Sequence, residues 1–224
     1  MKFRFFTSLA LLCLAAVPLS LSAQSAEISP YAGYIWPSNF GSGVGEFHQG
    51  QLLGVRGGAY ISSGFEIGGN YSWNNHFQPR DSDLSSAFAG SLGFPQGAVR
   101  ANIYEVEFSY NFGKHNMFGS SIKPYVTLAG GGLTTRVKNS NAFVVNVRAV
   151  QTPLQTIFVP NDVIDNNDTF FTFSYGGGIK ASRLWGPMGF FGDFRGRTVP
   201  NFFGSSNTYP ELSAGLNFAW GESK

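Results

Sequence analysis

From Glu27 to Trp220 the sequence alternates apolar and polar residues with a period of two, in eight segments of roughly ten residues. Clusters of Gly, Asn, Ser and Pro separate them. Period two belongs to the β-strand, whose successive side chains leave the backbone on opposite sides. The cleanest segment is 65–74: Phe65, Ile67, Gly69, Tyr71 and Trp73 alternate with Glu66, Gly68, Asn70, Ser72 and Asn74. Segment 101–112 sets Tyr104, Val106, Phe108, Tyr110 and Phe112 against Glu105, Glu107, Ser109 and Asn111. The others are 27–36, 51–61, 123–134, 169–181, 188–198 and 209–220, with the faces of 123–134 left ambiguous. The chain is therefore expected to be all-β.

The faces and the connections narrow the class. One face carries large aromatics, while the other carries small residues and charges of both signs. A soluble barrel points its apolar face inward, but a membrane barrel turns it to lipid around a polar lumen. Connections 37–50, 75–98, 135–168 and 200–208 alternate with mostly shorter ones at 62–64, 113–122 and 182–187. Long outer loops and short periplasmic turns give that alternation. Ten residues at ~3.3 Å each, tilted about 40°, span roughly 25 Å, the height of an apolar membrane band. In lipid only a closed barrel satisfies every strand edge. An eight-stranded antiparallel up-and-down transmembrane β-barrel follows, with Trp36, Trp73 and Phe171 in an outer aromatic belt. Tyr110, Phe112 and Trp220 fall in an inner one.

Residues 1–26 have a positive start at Lys2 and Arg4, a short apolar core and a stretch of small residues. They read as a signal peptide, cleaved after Ala23, Ser25 or Ala26. Residues 27–220 are then the barrel and 221–224 a short tail. Removing Lys2 and Arg4 from the 15 basic residues leaves thirteen against 13 acids, so the mature chain is not a basic nucleic-acid binder. The single cysteine, Cys13, lies in the leader, so no disulfide is expected.

Two stretches carry a family likeness. ISPYAGYIW at 28–36 resembles the opening strand of small outer-membrane barrels of the OmpA/OmpX type. The last strand, Ser213 to Trp220, resembles the signal read by the barrel-assembly machinery, with Ser213, Gly215, Phe218 and Trp220 in its key positions. The resemblance implies a monomer in the cell outer membrane, surrounded by lipid and lipopolysaccharide and inserted by that machinery. No peptidoglycan-binding domain follows the barrel, so cell-wall anchoring is not expected.

By parity, Arg56, Lys180, Arg195 and Arg197 share the lumen with Glu66, Glu105, Glu107, Asp193 and Glu211. An eight-stranded barrel is just wide enough to be filled by side chains, and buried charges need partners. A salt-bridge plug centred on Arg195 and Glu105 is the expectation; a narrow ion or solute path is the alternative. The histidines His48, His76 and His115 lack the spacing of a metal site, and neither a metal nor another cofactor is expected. Some small barrels act on lipid A with a His, a Ser and an acid. Here His76 with Asp81, Ser82 and Asp83 is the only comparable cluster. A polar loop supplies such residues by chance, so no catalytic residue is assigned and an enzyme is the least favoured reading. Segment 135–168 is unusually apolar and β-prone for a surface loop. A hairpin above the membrane that binds an extracellular ligand of unidentified chemistry is one reading. A rigid hairpin with no ligand is the other.

Overall fold

The computed structural model describes residues 25–36, 50–62, 64–75, 77, 91–94, 98–112, 122–139, 142–202 and 205–221. Their strands are β1 (Ser25–Ile35), β2 (Gly50–Tyr60), β3 (Phe65–Asn74), β4 (Ala98–Asn111) and β5 (Ile122–Lys138). There follow β6 (Ala142–Gln151), β7 (Thr156–Asp165), β8 (Thr169–Trp185), β9 (Met188–Phe202) and β10 (Ser205–Gly221). Eight of them close an antiparallel barrel in the order β1-β10-β9-β8-β5-β4-β3-β2. β6 and β7 form a separate two-stranded sheet. The seam joins the first strand to the last, with Tyr31 opposite Gly215 and Ile35 opposite Glu211. All backbone edges of the wall are thus paired, as a bilayer demands.

The alternation settles which side each residue takes. Phe65, Tyr71, Trp73, Tyr104, Val106, Phe108, Tyr110, Phe171, Phe194 and Leu216 are exposed on the outside. Glu66, Asn70, Ser72, Glu105, Glu107 and Ser109 are buried inside. On β5, whose faces were ambiguous, Tyr125, Thr127, Ala129 and Leu133 point inward and Val126 and Leu128 outward. The ambiguity came from Gly130–Gly132, which carry no side chain to report a face. Gly131 is there for close approach: a Cβ added to it would lie 1.9 Å from the Tyr104 carbonyl oxygen.

The strands differ from expectation at their ends. β1 begins at Ser25 rather than 27, and Ser25 and Ala26 pair with Tyr60 and Ala59 on one side and Gly221 and Trp220 on the other. Of the three expected cleavage positions, only that after Ala23 leaves this strand whole. β4, β5, β9 and β10 each run several residues further toward the outer end than the alternation suggested. The wall therefore rises beyond the apolar band.

In that upper part the polarity of the two faces exchanges while the parity does not. Inside stand Ile35, Leu52, Val99, Ala101, Ile103, Leu133, Val137 and Val199 in one apolar cluster. Outside stand Arg100, Arg136 and Lys138 on the same strands. Above the apolar band the wall faces headgroups and water, so it packs like a soluble barrel.

Candidate functional site

The lumen is the candidate site. Its charges come from seven strands, each from an inward position, and they stack in three layers. In the lowest, Lys180 of β8 is held by Glu27 of β1 and by Glu66 of β3 at 2.9 Å. Asn111 donates to Glu66 at 3.4 Å. In the middle layer Arg195 grips Glu107 with two parallel hydrogen bonds of 2.8 and 3.0 Å and gives its Nε to Asp193 at 2.8 Å. Arg56 reaches Asp193 at 3.0 Å and Glu107 at 3.4 Å. Tyr125 and Ser213 donate to the same aspartate at 3.0 and 2.6 Å. In the upper layer Arg197 bridges Glu105 at 2.5 Å and Glu211 at 2.8 Å, and Asn70 donates to Glu105 at 3.3 Å.

Low-dielectric surroundings strengthen each of these bonds and make any loss costly. Arg195 and Arg197 are 0% exposed. The planar guanidinium of Arg195 sets two parallel donors against one carboxylate, a match that lysine does not offer. The Arg56 guanidinium also lies 4.8 Å from the centre of the Phe191 ring, a cation–π contact beside its carboxylates.

Above the charges sits the apolar cluster, with two further closures. Phe77 donates its backbone N–H to Val99 at 3.0 Å and meets Tyr209 edge-on at 6.0 Å. Ile164 of β7 is fully buried in the same cluster. The base of the β6–β7 hairpin is thereby a part of the lid over the lumen. Thr135 fastens it further, donating to the carbonyls of Asp165 and Asp168 at 3.1 and 3.3 Å.

All nine lumen charges named from the sequence lie inside the barrel and buried. Arg195 and Glu105, expected at the centre of the plug, do not pair with each other: Arg195 meets Glu107 and Asp193, while Glu105 belongs to Arg197, one pleat repeat higher. Glu27 was missed. It sits at the edge of the leader, and counting back by twos from Tyr31 through Ser29 would have found it. Six carboxylates thus share the described lumen with four cations. Ser213 is inward and hydrogen-bonded to Asp193, while Trp220 is exposed and Phe218 half-exposed on the outer face of β10. Gly215 packs against Tyr31 across the seam. Trp73, Phe171, Tyr110 and Phe112 are exposed near the two ends of the wall, and Trp36 lies half-buried just past β1. His48, His76, Asp81, Ser82, Asp83 and His115 lie outside the described residues.

A closed eight-stranded barrel with an aromatic, apolar exterior and a charged interior is an outer-membrane β-barrel, and the outer membrane is where such walls reside. No protein-family model and no curated protein matches the chain. Among solved structures it is similar to Neisserial surface protein A, at 13% identity over 87% of this chain and 96% of that one, with a TM-score of 0.52. The N-terminal β-barrel domain of Pseudomonas aeruginosa OprF matches at 13% identity over 87% and 98%, TM-score 0.43. Ail, the attachment invasion locus protein of Yersinia pestis, matches at 13% over 87% and 97%, TM-score 0.43. At such identities the likeness speaks to the fold alone.

Proposed function

We propose that this barrel is a closed scaffold that presents the β6–β7 hairpin to a macromolecule at the cell surface. The observation that carries the reading is the hairpin itself. Its strands pair from Ala142–Asp165 to Gln151–Thr156, so it is ordered structure and not slack loop. Its base is fixed by Ile164 in the barrel lid, while its tip shows Leu154 at 96% exposure with Ile157 and Phe158 also exposed. Apolar side chains held outward on a rigid stem suit protein recognition, by packing or by strand addition. A role in adhesion follows, and catalysis is not part of it.

Replacing 148–159 by an Asn-Gly turn keeps the base and removes the tip. Bacteria displaying the full chain are expected to adhere to immobilised extracellular-matrix proteins, and those displaying the shortened one to fall to the level of the empty strain. A heat-modifiable band on a cold detergent gel controls for folding. Equal adhesion by the two strains would overturn the reading.

Closure of the lumen is the second half of the proposal. Three layers of paired charge beneath an apolar lid support a lumen closed to continuous water. Purified barrel in a planar bilayer is expected to give no steady ohmic conductance. A stable open level, altered by Arg197→Gln, would restore the narrow-channel alternative.

A further inference from the structure

We propose that Arg100 and Arg136, on the outer face of the wall, bind a phosphate group borne by a glycolipid headgroup of the outer leaflet. The two residues are direct cross-strand partners in the β4–β5 ladder. Both are exposed. Like charges placed directly opposite each other destabilise a sheet unless something neutralises them. Inside the barrel every cation sits on carboxylates, yet among the described residues no acid pairs with either of these two. An anion from outside the chain would resolve the conflict.

Height and shape identify the anion. On the outward row of β4, Arg100 stands ten residues from Tyr110 of the inner belt. At ~3.3 Å per residue and about 40° of tilt that is roughly 25 Å, the top of the apolar band. The exchange of polarity between the faces marks the same level independently, since Val99, Ala101 and Val137 are inward and apolar there. A cavity of about 310 Å³ opens at this point, lined by Tyr71, Trp73, Asn75, Arg100, Asn102 and Arg136. Two guanidiniums offer forked donors to phosphate oxygens. The Tyr71 hydroxyl donates to the Asn102 amide oxygen at 3.2 Å, which leaves the Asn102 amide nitrogen to serve as a further donor. Trp73 supplies a flat wall on which a sugar ring can rest. Basic pockets at headgroup level are known to take phosphorylated headgroups.

The test is native mass spectrometry of the full chain in detergent with added bisphosphorylated lipid A, beside Arg100→Gln/Arg136→Gln. The wild-type barrel is expected to retain one lipid A, and the variant to lose it by at least about tenfold, the worth of one charge-assisted hydrogen bond. Dephosphorylated lipid A should be retained as poorly by the wild type as the native lipid is by the variant. Equal retention by the two proteins, or of the two lipids, would overturn the proposal. Inorganic phosphate at the same concentration is expected not to displace the lipid; full displacement would show a free-anion site and overturn the lipid assignment. Both substituted residues are exposed, so the variant should fold. In lipid-free detergent it should unfold at a higher urea concentration than wild type, because the repulsion is gone. A wild-type barrel that is the more stable one there would also count against the site.

Discussion

Arg195→Met is expected to lower barrel stability by about 3–5 kcal/mol, the usual consequence of removing one partner from a buried ion pair. The change strips Glu107 of both its parallel hydrogen bonds and Asp193 of one. Glu107 keeps the longer contact with Arg56 at 3.4 Å and the Ser109 hydroxyl at 3.2 Å, neither of which replaces a bidentate guanidinium. Urea unfolding in lipid vesicles, followed by tryptophan fluorescence, measures the loss. The double variant Arg195→Met/Glu107→Met should recover most of it, because Asp193 still has Arg56 at 3.0 Å and the removed charges are replaced by apolar volume. A double-mutant cycle isolates the pair energy. If the single variant lost less than about 1 kcal/mol, the value for a solvated surface pair, the lumen would be wet and the closed-plug account would fail.

The second large effect is at Gly131. Gly131→Val is expected to abolish the heat-modifiable barrel, leaving a single gel position whether or not the sample is boiled. A Cβ at this residue would lie 1.9 Å from the Tyr104 carbonyl oxygen and 2.7 Å from the Glu105 Cα. Both are backbone atoms of the neighbouring strand, so no rotamer relieves the clash and the β4–β5 ladder has to part. That exceeds the ~1–3 kcal/mol of ordinary overpacking. Gly130→Ala is the control, since nothing lies within 4 Å of its Cβ position. Loss of the barrel in both variants would point to the glycine run as a whole rather than to this contact.

The faces of the wall were legible because alternation survives in residues with strong preferences. In 65–74 and 104–112 nearly every outward position is aromatic or branched and nearly every inward one polar. Three things were not legible, each for a physical reason. Ion partners such as Lys180 and Glu27 lie 153 positions apart and on strands that are not neighbours, so no local pattern connects them. The apolar lid was invisible because Val99, Ala101 and Ile103 continue the inward parity of Glu105 and Glu107 while reversing its polarity. A reader of period two sees there the end of a strand, when the wall has only left the apolar band. The hairpin at 142–165 was legible as β-prone sequence, but its anchoring through Ile164 was not.

The lumen network also bears on how the chain enters the membrane. Its bonds join residues 153, 137 and 88 positions apart: Lys180 with Glu27, Arg56 with Asp193, and Arg195 with Glu107. Until the first and last strands meet, these charges have no enclosed side to face. A complete but unclosed sheet lying in hydrocarbon would present ten of them to lipid, at several kcal/mol for each unpaired ion. Strand-by-strand insertion is therefore uphill at every stage but the last. Curling of the sheet and its passage into the bilayer have to occur together. Once the seam has zipped, opening it requires all three charge layers to come apart at once, so the barrel's persistence is governed by a rate of escape rather than by the sum of its bonds.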